Sequence, residues 1–173
     1  MTSKREIEEH ALRDVLGCFA TGVVVATTRG EGDAPVGLTV SSFNSVSLNP
    51  PLVLWSLACS ANSHAAFSAS AAFAINILSR DQADVCLQFA RPAADKFRGV
   101  PWCPGIDGVP VLRDALATLE CRIYRQYEGG DHTIFIGEVV QLRASEKAPL
   151  IYHRGKFTGL ASMIAPTGAG CDA

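Results

Sequence analysis

The segment from Val36 to Leu57 is the most informative about the fold: Val-Gly-Leu-Thr-Val-Ser-Ser-Phe-Asn-Ser-Val-Ser-Leu-Asn-Pro-Pro-Leu-Val-Leu-Trp-Ser-Leu. It predicts two β-strands, because Val, Thr, Phe and Leu favour a pleated, half-buried surface. Asn49-Pro50-Pro51 separates them, since proline donates no ladder hydrogen bond and holds the preceding residue extended. Because hydroxyls both donate and accept hydrogen bonds, the first strand predicts the floor of a site for a flat polar ligand. Its hydroxyls are Thr39, Ser41, Ser42, Ser45 and Ser47.

Length and composition predict one globular domain. A chain of 173 residues buries about two thirds of the surface that its unfolded form exposes. With 48% hydrophobic and 18% charged residues, the chain is not of the disordered class. We predict a single domain over residues 1–165 and a loose tail over 166–173.

Charge and hydropathy predict where the protein acts. The net charge of −2 gives no reason to expect nucleic acid or an anionic membrane as a partner. No apolar run approaches the roughly 18 residues that span a bilayer. The first residues are too acidic and polar for a secretory signal, so we expect a cytoplasmic protein.

The cysteines and histidines do not predict a metal site. The six cysteines contain no C-x-x-C pair, so neither a zinc site nor a disulfide framework is expected. Cys18 and Cys121 lie in apolar patterns and are predicted to be small buried side chains. His64, His132 and His153 are not at i, i+4 spacing, so we expect no metal.

Residue periodicity predicts a mainly β (α+β) protein, an antiparallel barrel with short peripheral helices. The strand at 23–28 is apolar on both faces at its start, which is typical of a central strand. In the helix after Ser79, we expect Ala83, Leu87 and Ala90 to be buried. The predicted helices cover 4–19, 64–68 and 80–90, and the further strands cover 73–78, 108–112, 115–125, 132–140 and 150–157.

The strand at 132–140 is apolar on both faces, with Ile134 and Ile136 on one and Phe135 and Val139 on the other. In a small antiparallel domain one sheet face normally meets solvent. We therefore predict that one face of this strand meets a second subunit.

Two short segments are candidate binding elements. Asn62 and Ser63 are good N-cap residues, and free N–H groups at a helix start favour anions. The alternative is an ordinary capped turn. His132 follows Gly129-Gly130-Asp131 at a hairpin tip, where glycines allow a ligand to approach closely. A polar surface histidine and a catalytic one remain equally open there.

Three enzyme classes lack their motifs. The sequence contains neither a Gly-x-Ser-x-Gly elbow nor a phosphate-binding Gly-x-x-x-x-Gly-Lys-Ser/Thr loop. Gly30-x-Gly32 is followed by Pro35 where a dinucleotide fingerprint has its third glycine.

Six blocks, in family order over about residues 10–160, resemble the flavin reductase family, the reductase components of two-component flavin-dependent monooxygenases. The block around the second strand and Gly-Asp-His are the most specific. The blocks are 19–25 (FATGVVV), 35–54 (PVGLTVSSFNSVSLNPPLVL), 73–78 (FAINIL), 95–97 (DKF), 130–132 (GDH) and 152–156 (YHRGK).

The resemblance implies a flavin-binding split β-barrel that forms a homodimer. It assigns His132 to nicotinamide binding and makes it the candidate catalytic residue. Tyr152 and Arg154 would lie nearby. The flavin would lie against Thr39, Val40, Ser41, Ser42, Ser56, Leu57 and Ala58, with its phosphate at Ser60, Asn62 and Ser63 and at Lys96 of the Lys96-Phe97 pair.

The same resemblance implies hydride transfer from nicotinamide C4 to flavin N5, with reduced flavin passing to a separate monooxygenase. FMN and FAD remain open, and the lack of a basic cluster favours NADH over NADPH. One alternative is a pyridoxamine-phosphate-oxidase-like protein that retains its flavin. A second is a flavin-binding protein without catalytic activity.

Overall fold

The computed structural model describes residues 7–160. The predicted tail at 166–173 and residues 4–6 of the first predicted helix lie outside this range. The helices are α1 (Glu9–Leu16), α2 (His64–Ala69) and α3 (Ala83–Ala90). The strands are β1 (Thr21–Gly22), β2 (Val24–Arg29), β3 (Pro35–Val40), β4 (Asn44–Leu48), β5 (Pro51–Ala58), β6 (Ala72–Ile77), β7 (Trp102–Pro104), β8 (Pro110–Leu112), β9 (Ala117–Gly129), β10 (His132–Ala144), β11 (Ile151–His153) and β12 (Lys156–Thr158).

The main sheet has seven antiparallel strands in the order β3-β2-β6-β9-β10-β5-β4. The mainly β class with short helices is confirmed, and β2 has a neighbour on each side, as predicted. Two smaller sheets, β1-β11-β12 and β7-β8, lie beside the main sheet.

Residues Val36 to Leu57 belong to three strands, β3, β4 and β5, so the prediction of two strands is wrong. The chain leaves the sheet after Val40 and re-enters it at Asn44. The reason is topological, because β3 and β4 are the opposite edges of the sheet. Residues 41–43 cross from one edge to the other and cannot pair with β2.

This crossing shows how strongly the sheet curves. Four residue steps of extended chain reach at most about 14 Å, so Val40 and Asn44 bring the two edges close together. Hydrogen bonds do not close the seven strands into a barrel within the described residues. The architecture is therefore an open, barrel-like sheet.

The interior of the curved sheet holds an aromatic core. Trp55 stacks on Phe135 with ring centroids 4.9 Å apart and meets Phe67 edge-on at 4.9 Å. Trp55, Phe67, Phe73 and Phe135 are fully buried. This packing fixes β5, β6, β10 and α2 relative to one another.

The helices differ in burial. None of Glu9–Leu16 in α1 is buried, and this helix is shorter than predicted, since Cys18 and Phe19 donate to carbonyls three residues back. In α3 the buried residues are Cys86 and Phe89. The predicted buried face of α3 is wrong, because the chain first forms a 3₁₀ turn at Arg80–Gln82 and so rotates the helix.

The hairpin of β9 and β10 is confirmed, with Gly130 at φ +72° in its turn. Cys121 on β9 is buried, as predicted, whereas Cys18 is exposed, so that prediction is wrong. Cys18 lies in the turn after α1, and α1 itself has no buried residue against which this turn could be covered. No helix within residues 7–160 has the length and apolarity to cross a membrane.

Candidate functional site

The first cavity, here called the lysine cavity, brings together four predicted site residues: Thr39, Asn62, Ser63 and Lys96. Its volume is about 640 Å³. One wall is β3, a second is the turn before α2, and a third is the chain from the end of α3 to Lys96. Residues from three distant parts of the sequence therefore meet here.

Lys96 is the cationic group of the lysine cavity. Its Nζ donates to Phe89 O, 2.8 Å away, near the C-terminal end of α3. Burial lowers the pKa of Lys96 below its ordinary value. An ammonium carries three N–H donors, so this partly desolvated cation keeps donors for an anion.

Two predicted residues of this region point elsewhere. The Thr39 hydroxyl donates to Cys86 O of α3 at 2.7 Å. The Phe97 ring packs edge-on against Phe89 at 4.9 Å and is buried. Thr39 thus joins β3 to α3, and Phe97 anchors the segment that carries Lys96.

The second cavity, here called the helix cavity, has a volume of about 1100 Å³ and contains Ser41, Ser42, Tyr152 and Arg154. Its wall includes residues from Arg13 to Phe19, which the sequence did not predict as part of a site. No sequence signal pointed to this wall, because only the structure shows that the apolar side chains of α1 remain exposed. The charged side chains that line this cavity are Arg13, Asp14 and Arg154, and Arg13 is paired with Glu9 of the same helix.

The turn between β11 and β12 is fastened to α1. Arg154 has φ +48°, its N–H donates to Gly17 O at 3.0 Å, and its guanidinium donates to Cys18 Sγ at 3.1 Å. A positive φ is uncommon outside glycine. The turn therefore holds Arg154 at the edge of the helix cavity.

Residues 39–42 run from one cavity to the other, since Thr39 lines the first and Ser41 and Ser42 line the second. Val40 between them packs against the core. In the described residues, no turn or loop hydrogen bond uses the N–H groups of 41–43. Residues 39–43, here called the crossing segment, therefore offer main-chain N–H donors at 41–43 that have no partner among the turn and loop hydrogen bonds of the described residues.

A third group lies on the outer face of β5 and β10. Ala58 is paired with His132 and Ser56 with Ile134, and paired residues share a face. Ser42 links this face to the crossing segment, because its Oγ accepts from Ser56 N–H at 2.9 Å and donates to Ser56 O at 3.0 Å.

His132 has a defined partner. Its Nδ1 donates to Asp131 Oδ1 at 2.7 Å, and this hydrogen bond holds the pKa of Asp131 below its ordinary value. The ring of His132 is 43% exposed, which leaves the side chain accessible to a ligand.

The remaining predicted residues contribute in other ways. Ser60 lies in an exposed turn. Leu57 is buried in the core, so only its backbone is available to a ligand. Ser63 is the N-cap of α2 but makes no side-chain capping bond, which leaves its hydroxyl available.

The residues present fit a flavin. A phosphate requires positive charge and donors, which Lys96, Asn62 and Ser63 supply. A flat ring with carbonyl groups requires N–H and O–H donors along one edge, and the main-chain N–H groups of 41–43 and the hydroxyl of Ser41 are placed to supply them. The fold and these cavities define an open-barrel β-protein with room for a nucleotide cofactor along one strand.

Comparison with known proteins identifies the family. The family described as "Flavin reductase like domain" matches residues 16–161, so the chain belongs to the flavin reductase family. This confirms the predicted family.

Among relatives, the chain is similar to FMN reductase (NADH) SmoA of Agrobacterium fabrum, with 45% identity over 85% of this chain and 83% of that protein. It is 44% identical to a Rhizobium meliloti protein named "Probable flavin reductase", over 87% of this chain and 48% of that protein. The chain therefore spans about half of that relative's length.

Among solved structures, the chain resembles the Streptomyces globisporus NADH:FAD oxidoreductase SgcE6, in complex with NAD and FAD fragments. The TM-score is 0.82 and the identity 39%, over 94% of this chain and 96% of that one.

Proposed function

We propose that this protein is an NADH-dependent flavin reductase that supplies reduced flavin to a separate monooxygenase. The supporting observation is the connection between the candidate binding regions: residues 39–42 join the two cavities, and Ser42 connects them to the sheet face that carries His132.

In this proposal the lysine cavity binds the flavin phosphate. Lys96 contributes the charge, and Ser60, Asn62 and Ser63 contribute hydrogen bonds. Binding an anion beside Lys96 favours its charged form, so its lowered pKa rises towards the ordinary value.

The crossing segment orients the ring. Thr39 to Ser42 and Ser56 to Ala58 form the surface against which the ring lies, and the main-chain N–H groups of 41–43 with the Ser41 hydroxyl point donors at the ring edge where negative charge develops on reduction. The bound flavin supplies a hydride acceptor at N5, and nicotinamide supplies the hydride from C4. The protein contributes position and electrostatics, with no side chain acting as a nucleophile.

We assign nicotinamide binding to His132, with Tyr152 and Arg154 contributing from the helix cavity. Asp131 orients the imidazole through the 2.7 Å contact to Nδ1, which leaves Nε2 directed away from Asp131. Arg154 supplies positive charge for the phosphates of the dinucleotide.

The assay that tests this function measures NADH oxidation by the purified protein with and without added FMN or FAD. We expect oxidation that requires free flavin and saturates with it. FMN and FAD would both present a phosphate to the lysine cavity, so the structure does not distinguish them. The same assay shows which flavin supports faster oxidation, and a parallel NADPH series tests the choice of nicotinamide.

The same experiment separates the alternatives. Flavin that remains bound through gel filtration, with turnover that needs no nicotinamide, would indicate an oxidase of the pyridoxamine-phosphate-oxidase-like class. Flavin binding without oxidation of either nicotinamide would indicate a non-catalytic flavin-binding protein.

His132→Ala separates the two cofactors. We expect a KM for NADH about tenfold higher, with flavin affinity changed less than about twofold, because His132 lies outside the lysine cavity. Equal loss of both affinities would contradict the role given to His132.

We propose a homodimer in which α1 meets a second copy. Its apolar side chains are exposed, including Val15 at 69%, Leu16 at 61% and nearby Phe19 at 76%. The predicted contact of β10 with a second subunit stays part of this proposal, since Ile134 and Ile136 on its outer face are only half-buried within one chain. Sedimentation at micromolar concentration tests this, and a monomer there would contradict it.

Two further proposals concern the location of the protein and its domain organisation. Five free cysteines occur in the described range, which is compatible with a reducing cytoplasm, and cell fractionation tests that location. We retain 1–165 as a single domain, and limited proteolysis that cuts within 7–160 before the ends would contradict it.

A further inference from the structure

Three hydrogen bonds tie the phosphate-side turn and the first residue of α2 to the start of β10, the longest being the 3.9 Å contact between Cys59 Sγ and Thr133 Oγ1. The N–H of Cys59 donates to Asp131 O at 2.9 Å. His64 Nε2 and Thr133 Oγ1 are 2.9 Å apart. Each bond joins the turn after β5, or the first residue of α2, to a residue adjacent to His132.

The His64 ring is held on both sides. Its Nδ1 lies 3.5 Å from Ser68 Oγ, one turn further along α2. His64 is the first residue of α2 and directly follows Asn62 and Ser63. The ring is partly buried and is not required by the chemistry assigned above, so its hydrogen bonds need another explanation.

Strand alternation explains why Thr133 matters to His132. Thr133 is paired with Leu57, a core residue, whereas His132 is paired with Ala58 on the outer face. Successive side chains of a strand point to opposite faces. A contact that fixes Thr133 from the inside therefore fixes the direction of His132 on the outside.

We propose that His64 and Thr133 are positioning residues that hold His132 at a fixed place relative to the flavin-phosphate turn. This inference rests on the proposed function, because it gives the hydrogen bond a catalytic consequence. The bond fixes the distance between the turn that binds the flavin phosphate and His132, which binds the hydride donor, before either cofactor is bound.

Thr133→Val tests the proposal, because it removes the hydroxyl and keeps the shape, and Thr133→Ser is the matched control. We expect kcat/KM for NADH to fall about tenfold in the Val variant, the effect of one lost hydrogen bond in the site. The Kd for FMN should change less than about twofold, and the Ser variant should retain wild-type values.

His64→Leu and His64→Gln form the second pair. Gln places an amide group near the former Nε2, so it should retain most of the activity that Leu loses. The double variant His64→Leu/Thr133→Val should lose no more than the larger single loss, because both changes remove one shared interaction.

A measurement on the flavin-free protein makes the test independent of turnover. The Cys59 amide reports the same linkage through its bond to Asp131 O. Its hydrogen exchange should accelerate about tenfold in Thr133→Val and remain unchanged in Thr133→Ser.

The outcomes are distinct. Wild-type kcat/KM and Cys59 exchange in Thr133→Val would overturn the positioning role, as would a lowered Tm with unchanged kinetics, which indicates a purely structural bond. Absence of NADH:flavin activity in the wild type would overturn the proposed function and, with it, the catalytic role of the bond.

Discussion

The lysine cavity and the helix cavity lie at opposite ends of the same crossing segment, yet they are built differently. The lysine cavity is walled by β3 and α3, which pack through the buried Phe89, and it holds a desolvated cation. The helix cavity is walled by α1, which buries none of its own residues.

The difference shows which binding function is complete within one chain. Phosphate binding needs charge and donors that the core already holds in place. The helix cavity needs α1 held in place, and its exposed apolar side chains can be covered only by another surface. We therefore expect flavin-phosphate affinity to be independent of dimerisation, and nicotinamide use to depend on it.

The largest expected effect is on the helix cavity. Leu16→Asp buries an unpaired carboxylate in the proposed dimer contact, which costs about 3–5 kcal/mol. The dimer Kd should therefore rise by more than about a hundredfold, as measured by sedimentation.

His10→Asp is the matched control, because it also introduces a carboxylate into α1, at a side chain that is 88% exposed. It should leave the dimer intact. Dissociation in both variants would show that added charge, and not the apolar face, controls assembly.

The next effect is on the lysine cavity. Lys96→Gln removes a charged hydrogen bond worth about 1.5–3 kcal/mol, so FMN affinity should fall about tenfold to a hundredfold. Riboflavin, which has no phosphate, is the matched ligand. If fluorescence titrations showed that FMN affinity and riboflavin affinity fall equally, the assignment of Lys96 to the phosphate site would be contradicted.

A smaller effect concerns the wall between β3 and α3. A Cβ at Gly37 would lie 2.7 Å from Phe89 Cε1, so Gly37→Ala should lower the free energy of unfolding by about 1–3 kcal/mol. A Cβ at Gly22 would meet nothing within 4 Å. Gly22→Ala should therefore be tolerated in the same urea titration, and an equal loss would contradict the packing argument.

The smallest effect is the pH dependence of the hairpin tip. The hydrogen bond from His132 lowers the pKa of Asp131 in the folded protein. This contribution to stability is present above the ordinary pKa of the carboxyl and is lost as pH falls through the lowered value. The difference in Tm between wild type and Asp131→Asn should therefore shrink below about pH 4, and a difference that grows there would contradict it.

Local sequence patterns were sufficient where a pattern has only one structural solution. The apolar residues at 23–28 predicted a central strand, and Gly129-Gly130-Asp131 predicted the hairpin turn between β9 and β10. The buried face of α3 and the exposure of Cys18 were not predictable, because each depends on what another element covers. The three-strand division of 36–57 depends on sheet order, which no local pattern contains.

The mainly β class, the family and most of the candidate site residues were predictable from sequence, because strand-forming residues, turn residues and the Gly-Asp-His block are local features. The division of these residues between two cavities and a sheet face is visible only in the folded chain. Folding also places His64 against Thr133, 69 residues away. The physical reason is that curvature of the sheet brings its opposite edges together across residues 41–43, and that curvature arises from packing of the whole core.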